Sequence, residues 1–220
     1  MCFYYLVGQT MKKNIFIILA FFVASFANGQ EIIKIDSMGN HLREFYLYQD
    51  LENNWLAGQH VNWETGKPDN PNATKNIKTH CSSFAASVCK QKNLYLLCPP
   101  QHSVTLLANA QFDWLFTKEA ASKGWQQIKQ DVFKTAQSFA NKGFVVVAVY
   151  KNPIPKKPGH IALVMPKEKN IQQLDEEGPN LIQAGQINKS DIPLKLGFKH
   201  HIKDWNSVLN DIAFFYNAVQ

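Results

Sequence analysis

The stretch 144–150, Phe-Val-Val-Val-Ala-Val-Tyr, is a continuous apolar run of strand length in which β-branched residues predominate. After a Pro-rich loop at 152–159, a second apolar run follows at 160–165, His-Ile-Ala-Leu-Val-Met. A strand that is apolar on both faces is typical of the interior of a sheet. The two runs therefore predict consecutive strands of a sheet, the first of them in its interior.

Three further strands are predicted downstream, at 180–184, 194–198 and 212–218. Upstream, the apolar spacing that begins at Cys81 predicts a helix with Cys81 in its first turn and Thr79 as its N-cap.

Two more helices are predicted at 103–116 and 125–141, and Gly143 supplies a left-handed cap after the second. Helices come first and the strands follow as an antiparallel meander. We therefore predict an α+β fold, with residues 30–220 as one domain.

The N-terminus has the pattern of a secretion signal. Lys12 and Lys13 precede an apolar run, 15–27, which small residues follow up to Gly29. The run is shorter than the roughly 20 residues that a membrane helix needs. We therefore expect residues 1–29 to be removed on export, residues 1–10 to be an upstream extension of the reading frame, and no stable membrane insertion.

The chain is basic. Removing residues 1–29 takes away two lysines and no acidic residue, which lowers the formal charge from +6 to +4. A basic surface suits an anionic polymer such as the cell wall as well as it suits nucleic acid, so the charge alone does not choose between them. The lysines are scattered and form no Arg-rich stripe, so we expect no nucleic-acid partner.

Three of the four cysteines lie beyond the predicted signal: Cys81, Cys89 and Cys98. An odd number in an exported protein leaves one thiol outside any bridge. Two alternatives are open, a Cys89–Cys98 disulfide that leaves Cys81 over, or three reduced thiols.

Cys81 is the candidate nucleophile. The start of a helix favours a thiolate because the helix dipole and the unpaired backbone N–H groups there attract negative charge. Those N–H groups can also bind an oxyanion. Cys89, two turns further along the helix, is expected to point into the core.

His160 is the candidate general base, because imidazole has the right pKa for work near neutrality. It follows Gly159 and opens an apolar strand, which is expected to place its ring at the edge of the sheet and not in the middle of the core. The remaining histidines show no spacing typical of metal ligands. We therefore expect neither a metal nor a cofactor.

The helix start Thr79-His80-Cys81-Ser-Ser-Phe-Ala, followed by the strand Gly159-His160-Ile-Ala-Leu-Val, resembles the NlpC and CHAP groups of papain-like peptidases and amidases. The likeness covers roughly residues 76 to 188. It implies a papain-like fold in which N-terminal helices, with the nucleophile at a helix start, pack on an antiparallel sheet. It also implies that Cys81 attacks an amide carbonyl of peptidoglycan and that His160 serves as base and then as acid.

The resemblance implies a third residue, in the next strand, that orients the histidine ring. By position this is Gln183, where family members usually carry His, Asn, Glu or Asp, and Asn188 is the competitor. Gln183 is thus one departure from the family pattern. His80 is another, because many NlpC-type enzymes have an Asp at this position, directly before the nucleophile.

Together these features predict an exported cysteine hydrolase that cleaves a stem-peptide bond or the muramoyl–L-alanine amide of peptidoglycan through a thioester. One alternative is acyl or glutamyl transfer by the same residues, which differs only in the acceptor. The alternative from another class is a non-catalytic wall-binding or inhibitor module on the same scaffold.

Overall fold

The computed structural model of this protein describes residues 31–70, 80–186 and 188–217. The predicted signal peptide, with its upstream extension, and Thr79 lie outside the described residues. Within the described ranges, no helix combines the length and the apolar character needed to cross a membrane.

After one short strand, the described residues form four consecutive helices, and most of the strands lie in the second half of the chain. The strands are β1 Ile32–Ile33, β2 Trp125–Gln127, β3 Val146–Tyr150, β4 His160–Val164, β5 Lys169–Asn170, β6 Asn180–Gln183, β7 Lys189–Pro193 and β8 Ile212–Asn217. The helices are α1 Ser37–Tyr48, α2 Cys81–Gln91, α3 Leu107–Leu115, α4 Lys118–Ser122, α5 Val132–Asn141, α6 Ile171–Glu177, α7 Leu194–Gly197 and α8 Val208–Asp211.

The main sheet has six antiparallel strands in the order β2-β8-β3-β4-β6-β7, and β1 pairs with β5 in a separate two-stranded sheet. The α+β class predicted from the sequence is confirmed. The meander holds only from β3 through β4 and β6 to β7. The last strand, β8, was expected at the end of the meander, but it returns to lie between β2 and β3, where it covers the second edge of the apolar strand β3.

The sheet is buried on both faces, which explains the continuous apolar runs. Val147, Ile161 and Leu163 face a core layer formed with α1, α2 and α3. Alternate residues such as Ala148 and Ala162 face a second layer formed with α5, α7 and α8. The prediction that 144–150 lies in the sheet interior is confirmed, because every residue of β3 is buried.

The segment 194–198 is a helix, so the strand predicted there is wrong. The edge of the sheet is taken instead by β7, and Pro193 then serves as the N-cap of α7. Leu194 and Phe198 are both fully buried. Their spacing of four residues is the helical period, since it places both on one face of a single turn.

The helix predicted at 125–141 is two elements, β2 and α5. Trp125–Gln127 pairs with β8, and tertiary pairing of this kind overrides local helical spacing. The helix predicted at 103–116 is shorter, since α3 begins only after Leu106, whose φ of 54° lies in the left-handed region. Gly143 does adopt a left-handed conformation, with φ of 87°.

Candidate active site

Cys81 is the first residue of α2, and its side chain is buried, with 6% of the residue exposed. The N-cap is His80 and not Thr79, and the His80 side chain makes no capping hydrogen bond. Its ring instead contacts the Gln59 carbonyl oxygen, with 2.9 Å between Nε2 and that oxygen. The first turn of α2 is therefore not capped by a side chain of its N-cap residue, and its N–H groups and dipole favour an anion there.

Helix α3 holds the first turn of α2 in place. The amide of Gln111 donates to the carbonyl oxygens of Ser82 at 3.1 Å and of Leu97 at 2.9 Å. Gln111 is completely buried. A hydrogen bond in such a dry setting fixes the position of the residue next to Cys81.

His160 begins β4, and its ring is buried with 6% of the residue exposed. Its Nε2 lies 3.0 Å from Oε1 of Gln183 in β6. A carbonyl oxygen can only accept, so Nε2 carries the proton and Nδ1 carries the lone pair. Burial lowers the pKa of His160, and the bond to Gln183 offsets part of that effect. The ring is therefore a neutral imidazole near pH 7, the form that a general base requires.

The predicted contact between Gln183 and His160 is present. Asn188, the competing candidate, makes its hydrogen bonds elsewhere. The Asn188 amide nitrogen donates to the carbonyl oxygens of Leu51, Asn54 and Trp55. Its amide oxygen accepts from the backbone N–H of Gly185. Asn188 therefore anchors the segment after α1 and does not contact His160.

Two residues that sequence reasoning missed surround the His160 ring. Phe198 meets it edge-on, with 4.7 Å between ring centroids. His201 stacks on it, with 5.2 Å between centroids and 16° between planes. Both follow α7, where a strand was predicted. The helical spacing of Leu194 and Phe198 is the signal that would have found them.

Cys81 and His160 lie on neighbouring elements. Helix α2 packs against β4 and β6, and Cys81 belongs to the core layer that contains Ile161 and Ala184, the residues after His160 and Gln183. The His160 ring packs with Phe198, which belongs to the other layer. The structure thus joins His160 to Gln183 directly. Cys81 lies at the start of the helix that packs against the strands of both residues.

The three cysteines of the described residues are thiols, and Cys89 and Cys98 form no disulfide. Complete burial, and then the proximity of Cys98, raise the pKa of Cys89 well above its ordinary value. Cys89 is therefore an inert thiol of the core, as its place two turns into the helix predicted.

The described residues contain no group of three His, Cys, Asp or Glu side chains arranged to hold a metal ion. Two clefts, of about 510 Å³ and about 320 Å³, lie beside α5 and α8. Neither cleft is lined by Cys81 or His160.

Gly159 permits the close approach that positions His160. A Cβ added there would lie 2.3 Å from the Tyr150 carbonyl oxygen and 2.4 Å from Asn109 Oδ1. Asn109 is itself held by hydrogen bonds to Lys157 and Asn152 of the Pro-rich loop.

We expect Gly159→Ala to lower the free energy of unfolding by about 1–3 kcal/mol, because neither neighbour can yield without breaking a hydrogen bond. Urea unfolding followed by tryptophan fluorescence measures this effect. An unchanged unfolding midpoint would show that the loop accommodates the methyl group.

The two stacked histidines make stability depend on pH. Burial, followed by the charges of His160 and His200, lowers the pKa of His201 from 6.5 to about 4. A histidine whose pKa is lower in the folded protein binds fewer protons when folded. Stability is therefore complete above the unfolded pKa and is lost as the pH falls from 6.5 towards about 4.

We expect His201 to contribute about 2 kcal/mol of this loss, after allowance for its partial exposure. Urea unfolding at about pH 7 and about pH 4.5 measures it, with His201→Phe as the comparison because that variant has no ring to protonate. Equal losses in the two proteins would contradict the prediction.

Known proteins supply no further assignment for this site. A search against models of protein families found no match to this chain, and a search of curated proteins found no similar sequence.

Proposed function

We propose that this protein is an exported, papain-like cysteine hydrolase that cleaves amide bonds of peptidoglycan, with Cys81 as nucleophile, His160 as base and Gln183 as the residue that orients the base. Cleavage would fall within the stem peptide or between muramic acid and L-alanine. Export would follow removal of residues 1–29.

The observation that carries the proposal is the buried hydrogen bond from His160 Nε2 to Gln183 Oε1. It fixes the ring in one tautomer, with the lone pair on Nδ1. Nδ1 is then the nitrogen that takes the proton from Cys81. A neutral amide orients the ring but stabilises imidazolium less than a carboxylate would.

The reaction follows from these roles. His160 Nδ1 takes the thiol proton, and the thiolate forms a C–S bond to the amide carbon. The oxyanion that develops is held by backbone N–H groups at the start of α2, near Ser82. Collapse breaks the C–N bond, and the departing amine takes the proton from imidazolium. Water then attacks the thioester with His160 again as base, which releases the acid and restores the thiol.

Two properties favour the cell wall as substrate. The chain resembles the NlpC and CHAP groups in the segments that carry Cys81 and His160, and the mature protein has a formal charge of +4 once two lysines are removed with residues 1–29. Opposite charge raises the local concentration of an anionic polymer at a protein surface. His80 stands before the nucleophile and binds the Gln59 carbonyl, so a substrate amine would have no acid to pair with at that position.

The test is digestion of purified sacculi by the mature protein, residues 30–220, with the products identified by mass spectrometry. Each soluble product should carry one added water and a new free amine, and the identity of that amine names the bond that is cut. A muramidase digest of the same sacculi serves as the positive control. Failure to release any fragment from sacculi or from defined muropeptides would overturn the proposal.

The burial of both Cys81 and His160 favours a second candidate, a non-catalytic wall-binding or inhibitor module on the same scaffold. Thiol titration separates the two. One cysteine that reacts fast and has a pKa well below the ordinary value of about 8.5 supports the hydrolase. Binding of sacculi by a protein without such a thiol supports the module.

A further inference from the structure

His201 lies in the turn after α7, and its ring covers one face of the His160 imidazole. The two rings are nearly parallel, at 16°, with 5.2 Å between centroids. Tyr150, on the strand next to β4, lies 4.9 Å from the His201 ring. His201 thus contacts the rings of two neighbouring residues on adjacent strands and is only partly exposed to solvent.

With His201 in this place, three side chains surround the His160 ring. Gln183 binds one edge of the His160 ring, Phe198 meets it edge-on, and His201 covers a face. The His201 ring makes aromatic contacts with His160, Tyr150 and Phe198. The contact that His201 makes is therefore the stacking of its ring.

We infer that His201 is a positioning residue, a neutral ring that stacks on His160, keeps water from the His160–Gln183 hydrogen bond and so holds the imidazole in its productive tautomer. The inference rests on the proposed function in assigning His160 the role of base. It adds a fourth side chain to the three that the proposed function uses.

The electrostatics require His201 to be neutral. During the proposed reaction His160 becomes imidazolium, and a second cation stacked on it would oppose that step. Burial and the charge on His160 lower the pKa of His201 to about 4, so its ring is uncharged near neutrality. The other titratable groups nearby are His200, which adjoins His201, and Tyr150, whose own neighbour is Asp211.

A hydrogen bond that is shielded from water is stronger and exchanges its proton more slowly. If His201 is the shield, removing its ring should expose the Nε2 proton of His160. A flat apolar ring at the same position should preserve the shield, since stacking needs the ring and not its nitrogens.

The experiment compares His201→Ala and His201→Phe with the wild-type mature chain. The first readout is the rate at which the His160 Nε2 proton exchanges with water, measured by NMR on the whole protein. We expect exchange to be about tenfold faster or more in His201→Ala and within about threefold of wild type in His201→Phe. Should the alanine variant fail to fold, His201→Leu replaces it, because leucine fills the space but cannot stack as a plane.

The second readout is catalysis on a defined muropeptide. We expect His201→Ala to lower kcat by about 10- to 100-fold with little change in KM, and His201→Phe to restore most of it, because a misoriented base slows chemistry and not binding.

The two readouts separate the two claims. Unchanged exchange of the Nε2 proton in the alanine and leucine variants would overturn the inference whatever the activity. Faster exchange in His201→Ala, together with a wild-type protein that hydrolyses no substrate, would leave the shielding by His201 standing and overturn the proposed function.

Discussion

Cys81→Ala is expected to reduce release of muropeptides from sacculi by about 10⁴- to 10⁶-fold, since a covalent mechanism has no route without its nucleophile. The fold should be unaffected, because the change removes one sulfur atom from a side chain at the start of α2. Quantitative mass spectrometry of released fragments measures the loss, and circular dichroism verifies the fold.

Cys98→Ala is the matched control. Cys98 is a partly exposed thiol of the same chain, and its pKa is raised mainly by burial, so it is not activated. We expect that variant to keep full activity. Equal activity in Cys81→Ala and Cys98→Ala would refute the assignment of the nucleophile.

A further variant, His160→Ala, tests the contact between the sulfur and the imidazole. In the Cys98→Ala background, alkylation by iodoacetamide at about pH 6 should fall about tenfold or more when His160 is changed to Ala, because the Cys81 thiol loses the base that takes its proton. Alkylation of Cys81 that does not depend on His160 would separate the two residues and remove the hydrolase mechanism.

Asn141→Ala is expected to cost about 3–5 kcal/mol of unfolding free energy, because it leaves several buried polar groups without a partner. Asn141 is fully buried at the end of α5, and it donates to the carbonyl oxygens of Ile33 and Lys167 at 2.9 Å each. Its oxygen accepts from the amide of Gln137 and from the N–H of Lys167. Alanine would leave these buried partners without a hydrogen bond.

The measurement is the urea midpoint of unfolding, followed by circular dichroism. Asn210→Ala is the control, because Asn210 lies exposed in the short helix α8 and surface changes cost about 0.5 kcal/mol or less. If Asn141→Ala unfolds at the same urea midpoint as Asn210→Ala, the buried hydrogen bonds of Asn141 do not contribute the stability expected of them.

Local patterns predicted the strands β3, β4, β6 and β8 but not β1, β2, β5 or β7. Runs that are apolar at every position, such as 144–150, became β3 and its neighbours, because burial on both faces leaves no position for a polar side chain. The same logic failed at 194–198, where two buried residues four apart belong to a helical turn. A short apolar run is compatible with the period of a strand and with that of a helix. The elements that pack against the run in the folded protein decide between the two.

The resemblance to the NlpC and CHAP groups placed the partner of His160 in the next strand or just after it, with Gln183 and Asn188 as the alternatives. The structure decides for Gln183, because Asn188 binds the Leu51 carbonyl oxygen instead. The roles of Phe198 and His201 were not predictable in this way, since both follow a helix that packs across the ends of β6 and β7. The Gln137–Asn141 pair is another such case. Both residues lie on one face of α5, but nothing local shows that they bind backbone groups at Met165 and Ile33.

The sequence by itself determined the α+β class, the interior strands and the start of a helix near Cys81, and it left Gln183 and Asn188 as alternative partners of His160. These properties depend on the period of apolar residues and on neighbouring strands, which are local quantities. Only the tertiary structure decided that β8 lies beside β3, that Asn188 anchors a distant segment and that His201 stacks on His160. Contacts between residues far apart along the chain depend on how the helices pack on the sheet. The local pattern of apolar residues does not specify that packing.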